Sequence, residues 1–105
     1  MAKFAFIYRG GDSFENREEG QAHMARWLAW AESLGAAYIY PGMPFSRSVT
    51  VQASGVTEGS GAVPVSGFSV VEAETLDEAQ GMAQSCPHLD IGGDIIVAEG
   101  IDIKI

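Results

Sequence analysis

Residues 4–40, "FAFIYRGGDSFENREEGQAHMARWLAWAESLGAAYIY", decide the fold, because the hydrophobic pattern changes period twice within them. "FAFIY" is aromatic, β-branched and apolar at every position, which marks a strand buried on both faces, and the glycines and turn formers of "GGDSFEN" stop it near Arg9. From about Asn16 to Leu34 the pattern becomes helical. At about 100° per residue, His23, Trp27, Trp30 and Leu34 fall within one sixth of a turn of each other. Met24, Leu28 and Ala31 widen that stripe on one side, and Glu19 and Arg26 lie beyond His23 on the other. Glu18 and Glu19 suit the positive end of the helix dipole, and Gly35 closes the helix. "AAYIY", residues 36–40, returns to strand, completing a strand–helix–strand unit.

Outward from this unit, "PGMPF" turns the chain and "SVTVQAS", 48–54, alternates as a half-exposed strand does. The glycine-rich "GVTEGSGAVP", 55–64, has little to bury and reads as a mobile loop. "VSGFSVVEA", 65–73, is a further strand. In "ETLDEAQGMAQSCP", Thr75 and Glu78 form a capping box, Leu76, Ala79, Ala83 and Cys86 recur at helical spacing, and Pro87 ends the helix. "DIIVAEGIDIKI", 94–105, is a last strand interrupted at Gly100.

The order strand, helix, three strands, helix, strand predicts a ferredoxin-like α+β fold, βαββαβ with one extra or split strand. Right-handed crossovers put both helices on one face of the sheet. The opposite face is apolar as well, and a bare apolar sheet exceeds the few hundred Å² that a soluble monomer tolerates. A second copy of the sheet is the economical cover, so the chain is expected to be a homodimer, a dimeric α+β barrel of two single domains spanning 1–105.

Six Lys and Arg against fourteen Asp and Glu give a net charge of −8, which repels nucleic acid and anionic membranes. Neither is expected as a partner. No apolar run is long enough to span a bilayer, "MAKFAFIYRG" does not read as a signal peptide, and the lone Cys86 permits no internal disulfide; a cytoplasmic location follows as an expectation. With no phosphate loop, nucleophilic triad or metal-ligand spacing, no cofactor and no metal are expected.

The chain resembles the YCII-related family of small dimeric α+β proteins, in its DGPF-type branch. Three segments carry the resemblance: "FAFIYRGGD", with Tyr8 on the tyrosine that ends the family's first strand; "AHMARWLAWAESLGAAYIYPGMPF", with the helical histidine at His23 and the turn at Gly42 and Pro44; and "SGFSVVEAETLDEAQGMAQSCP", the most specific of the three. "TEGSGAVPVSG" replaces the motif that names the branch in shortened form. The resemblance implies proton chemistry at His23, in some members of a dehydrochlorinase kind. No Asp falls on the family's carboxylate, and Glu32, nine positions on from His23, lies about 180° round the helix. Glu19, one turn before His23, or a backbone carbonyl is the expected partner that orients the ring.

Three functional readings follow. In the first, the chain is a small-molecule enzyme in which His23 serves as acid or base in a pocket lined by Tyr8, Trp27, Tyr40 and Phe68, taking a small apolar or aromatic ligand. In the second it is a non-catalytic dimeric module that binds a small ligand or a protein. A monooxygenase is a third reading by fold analogy alone. Each residue also has a plainer role: His23 as a rim histidine, Trp27 and Trp30 as packing, Tyr8 and Tyr40 as surface phenols, Phe68 as sheet packing. His88, in "CPHLDIGG", is expected to be solvated. A cavity of some 300 Å³ or more beside His23 is the feature that favours ligand binding or catalysis over a filled module.

Overall fold

The computed structural model describes residues 1–103. Strand β1 (Ala2–Arg9) leads to helix α1 (Arg17–Leu34) and, through a short 3₁₀ turn, to β2 (Tyr38–Pro44). A ribbon of β3 (Val49–Gln52) and β4 (Gly55–Glu58) precedes β5 (Val65–Ala73), α2 (Leu76–Gln84), a second 3₁₀ turn at Pro87–Ile91, and β6 (Asp94–Glu99). The main sheet has the order β2-β5-β1-β6 with antiparallel neighbours throughout. β1 and β2 therefore run parallel with β5 between them. That is the split βαβ arrangement of a ferredoxin-like α+β fold.

Both helices begin at side-chain caps. Asn16 Oδ1 accepts from the Glu19 N–H at 2.9 Å, and Thr75 Oγ1 accepts from the Glu78 N–H at 3.1 Å. The two glutamates reach back one residue beyond the cap: Glu19 accepts from the Glu15 N–H at 3.0 Å, and Glu78 accepts from the Glu74 N–H at 3.3 Å. On the helix-facing side of the sheet, Phe4, Phe6 and Tyr8 of β1 and Ser69, Val71 and Ala73 of β5 are buried with Trp30, Ala79, Ala83 and Cys86. Trp30 also ties the helices together, its indole N–H donating to the Met82 carbonyl at 3.0 Å. On the other side of the sheet, Ala5, Ile7, Phe68, Val70 and Ile96 share a face through their register and alternation, and no helix of the described residues covers it.

Four expectations are corrected. "PGMPF" does not turn the chain away. Residues 41–44 continue β2 as an edge strand whose register with β5 slips between Tyr38 and Tyr40 and again between Tyr40 and Met43. The one extra strand expected is a pair, β3 and β4, which form their own two-stranded ribbon outside the main sheet. The segment 55–64 is not simply loop. Gly55–Glu58 is strand, Thr50 Oγ1 donates to the Gly59 carbonyl at 2.8 Å, and the Val65 N–H donates to Ser60 Oγ at 2.9 Å. Alternating Val and Thr at 49–51 and 56–57 support cross-strand pairing, which the glycine content concealed. Lastly, β6 ends at Glu99 and 101–103 are not strand; residues 104–105 lie outside the described residues.

Candidate functional site

α1 leaves much of its apolar flank uncovered. Its buried residues are His23 and Trp30, and Met24 and Leu28 stand 55% and 62% exposed. The apolar flank that the periodicity predicts thus looks onto open space. Across from it, β2 is displaced by its two slips and drawn onto β5 at Gly42, whose φ of +72° and position over the Phe68 carbonyl leave no room for a Cβ. Between the helix and this bulged edge lies a cavity of about 620 Å³. Tyr8, His23, Trp27, Leu28, Tyr38, Ser69 and His88 line it, with Pro41 to Pro44 along one side.

One face of the cavity carries a chain of hydroxyls. Tyr8 Oη–H donates to Ser69 Oγ at 2.8 Å, and Ser69, with a single proton, donates to the Pro41 carbonyl at 2.8 Å. Tyr38 Oη must then donate in the 3.1 Å contact with Ser69 Oγ, and Trp27 Nε1–H reaches Tyr38 Oη at 3.5 Å. Every hydroxyl proton is engaged. What Tyr8 retains is an acceptor lone pair, and burial pushes its phenol well above the ordinary value, so it stays protonated at neutral pH.

His23 is nine-tenths buried, in contact range of the Phe14 ring (centroids 5.1 Å apart) and the Trp27 ring (5.8 Å). Burial lowers its pKa first, and Arg26 and His88 lower it further against the opposing pull of Asp90. The ring is therefore neutral at pH 7. Nδ1 is buried with no hydrogen-bond partner among the described residues. A buried N–H without an acceptor is rarer and costlier than a buried lone pair, so the proton belongs on Nε2, the nitrogen left to the cavity. At rest His23 is thus a hydrogen-bond donor to whatever occupies the space beside it.

The expected residues are partly brought together. Tyr8, His23 and Trp27 line one cavity. Glu19 Oε2 accepts from the Glu15 N–H at the helix start, and His23 Nδ1 has no hydrogen-bond partner among the described residues. Tyr40 is also absent from the lining. The bulge at Ile39 puts Tyr38 opposite Val71 and Tyr40 opposite Val70, so the two tyrosines fall on opposite faces of the sheet and Tyr38 takes the cavity position. Phe68 belongs to the wall, but its ring follows the alternation of β5 to the outer face, 5.7 Å from the Tyr40 ring and 6.0 Å from that of Phe45.

The larger miss is His88. Expected in solvent, it is 4% exposed, and its Nε2–H donates to the Arg9 carbonyl at 2.8 Å. Its ring packs edge-on to Tyr8, centroids 5.5 Å apart. The sequence did hold a signal in its paired glycines. A Cβ at Gly93 would come within 2.5 Å of His88 Cδ2, and one at Gly11 within 3.0 Å of Cε1, so both positions make room for the imidazole. Cys86, buried beside this turn, has its thiol pushed up to about 12 by burial and is inert. Among the described residues no group of three or more His, Cys, Asp or Glu gathers as metal ligands would, and no helix is long and apolar enough to cross a membrane.

No family model matches the chain, and no curated protein matches it. Among solved structures the chain is similar to the 5-chloro-2-hydroxyhydroquinone dehydrochlorinase TftG of Burkholderia phenoliruptrix AC1100, in complex with 2,5-dihydroxybenzoquinone. The identity is 22%, 89% of each chain is covered, and the TM-score is 0.45.

Proposed function

We propose that the chain is a YCII-related enzyme of the DGPF-type branch, a single domain that takes a small aromatic or other planar oxygenated compound into the cavity and exchanges a proton with it at His23, in a lyase-type elimination. The observation that carries this reading is a neutral, nine-tenths-buried imidazole in the wall of a largely apolar cavity of about 620 Å³, with one nitrogen unpartnered and the other left to the ligand. A donor fixed at Nε2 polarises a ligand carbonyl or steadies an enolate or phenolate oxygen without bringing in a net charge. Trp27, Leu28 and Met43 supply the dry surface for a ring.

The binding-only reading has its own support. An orienting carboxylate, which most histidine acid–base pairs use, is lacking at Nδ1. Titration with hydroquinone and chlorohydroquinone, followed by thermal shift and by chloride release, separates the two. A shift with release that is lost in His23→Gln supports the enzyme; a shift without release supports the module; no shift with either compound refutes the ring-binding enzyme.

The outer sheet face supports a homodimer. Ile96 is 41% exposed and Tyr40 46% on a face with Ile7, Phe68 and Val70. Sedimentation at micromolar concentration should give about twice the 11.1 kDa chain mass, and an 11.1 kDa species alone would overturn the dimer.

A further inference from the structure

We infer that His88 is the proton acceptor of the cavity, its Nδ1 facing the ligand opposite the donor on His23, so that the site selects a compound carrying a hydroxyl proton rather than an ether. The inference rests on the reading of the cavity as a ligand site and adds to it the residue that receives the proton.

It starts from one bond. The Arg9 carbonyl can only accept, so the 2.8 Å contact places the His88 proton on Nε2, and a neutral ring then carries its lone pair on Nδ1. The fold over-determines this orientation. Arg9 ends β1 with its side chain paired to Asp94 of β6, Nε to Oδ1 at 2.8 Å and Nη2 to Oδ2 at 2.9 Å, which holds the end of β1 in place. Gly93 and Gly11 close on the ring with no side chain of their own, and Tyr8 meets it edge-on. Nδ1 has no hydrogen-bond partner among the described residues, and it is not sealed from solvent in the way that His23 Nδ1 is. The open space beside this otherwise buried ring is the cavity it helps to line.

The two histidines are therefore complementary. In the proton exchange at His23 the resting ring is set to give its Nε2 proton rather than take one, because freeing Nε2 would put a proton on Nδ1 where no acceptor waits. His88 has the opposite arrangement, with the far nitrogen held by a backbone carbonyl and the near one free to accept, as a general base requires. In the transfer step the ligand's O–H bond breaks and an N–H bond forms at His88 Nδ1. The ligand keeps the electron pair as an aryloxide or enolate, and His23 Nε2–H steadies the negative oxygen that develops. Trp27, with ring centroids 5.8 Å from His23 and 6.4 Å from His88, neighbours both.

The test has one arm without ligand and one with a matched pair of probes. A long-range proton–nitrogen spectrum of the labelled protein, with His88→Phe as the assignment control, is expected to show the His88 proton on Nε2; finding it on Nδ1 overturns the inference. Phenol and its methyl ether anisole are then titrated against the tryptophan indole signals. Phenol is expected to bind about five- to tenfold more tightly, the worth of one hydrogen bond, with the preference lost in His88→Phe. Equal binding of the two leaves the cavity as a ligand site and overturns the role of His88. Binding of neither overturns the ligand site and that role together. If His88→Phe does not fold, the spectrum and the probe pair on the unaltered protein decide.

Discussion

Gly93→Ala should be among the most damaging single-methyl changes in this chain, although glycine-to-alanine replacements often stabilise. Gly93 does not have a positive φ, so alanine meets no backbone strain there. The damage is steric. The new Cβ would stand 2.5 Å from His88 Cδ2, 2.6 Å from Cε1 and closer still to Nε2, so the buried ring must leave its seat toward the cavity. Moving it breaks the 2.8 Å bond to the Arg9 carbonyl, worth about 1 kcal/mol, and forces an overpacked rearrangement worth about 1–3 kcal/mol. The sum is about 2–4 kcal/mol. Against a typical stability of about 5–15 kcal/mol that is a large share, and it lowers the melting temperature by about 10 °C or more. Urea unfolding followed by tryptophan fluorescence reads the change. Gly81→Ala is the control, because Gly81 lies in α2 with nothing within 4 Å of its would-be Cβ, and alanine there should gain up to about 1 kcal/mol. A Gly93→Ala protein within about 0.5 kcal/mol of the parent would refute the tight seat of His88, and with it the fixed tautomer argued from that seat.

Three further outcomes are expected. Ser69→Ala should cost about 2–3 kcal/mol by urea titration, because it strands the buried Tyr8 hydroxyl and removes the donor to the Pro41 carbonyl; a loss below about 0.5 kcal/mol would mean that the hydroxyl chain reorganises freely. Thr75→Ala should cost about 1 kcal/mol through the lost cap on the Glu78 N–H, and no change would mean that α2 has another start. Stability should fall as pH drops below about 6.5, since unfolded His23 takes a proton there while the folded ring, its pKa lowered by burial, resists until lower pH. The unfolded state binds more protons across that window, so acid favours it. His23→Gln should flatten this part of the profile, and an unchanged slope in the variant would assign the effect elsewhere.

What the sequence determined by itself is what local periodicity and capping control. The two-face apolar run "FAFIY", the His23–Trp27–Trp30 stripe and the Thr75 cap each depend on residues a few positions apart, so strand, helix and their order could be read, and the order leads to the ferredoxin-like fold. His23 and Trp27 could be named for the cavity because each sits at a definite phase on its helix, and Tyr8 through the resemblance of the first strand. Tertiary structure decided whatever depends on contacts distant in the chain. The bulge at Ile39 exchanges Tyr40 for Tyr38, since a slip of one residue moves a side chain to the other face of a strand. Glu19 Oε2 accepts from the Glu15 N–H at the helix start, and His23 Nδ1 is left without a partner among the described residues. His88 is drawn out of solvent by the Arg9 carbonyl, 79 positions away, into a seat hollowed by Gly11 and Gly93. No pattern within "CPHLDIGG" encodes that partner, because the energy that buries the ring is released only when β1 and the turn after α2 have already met.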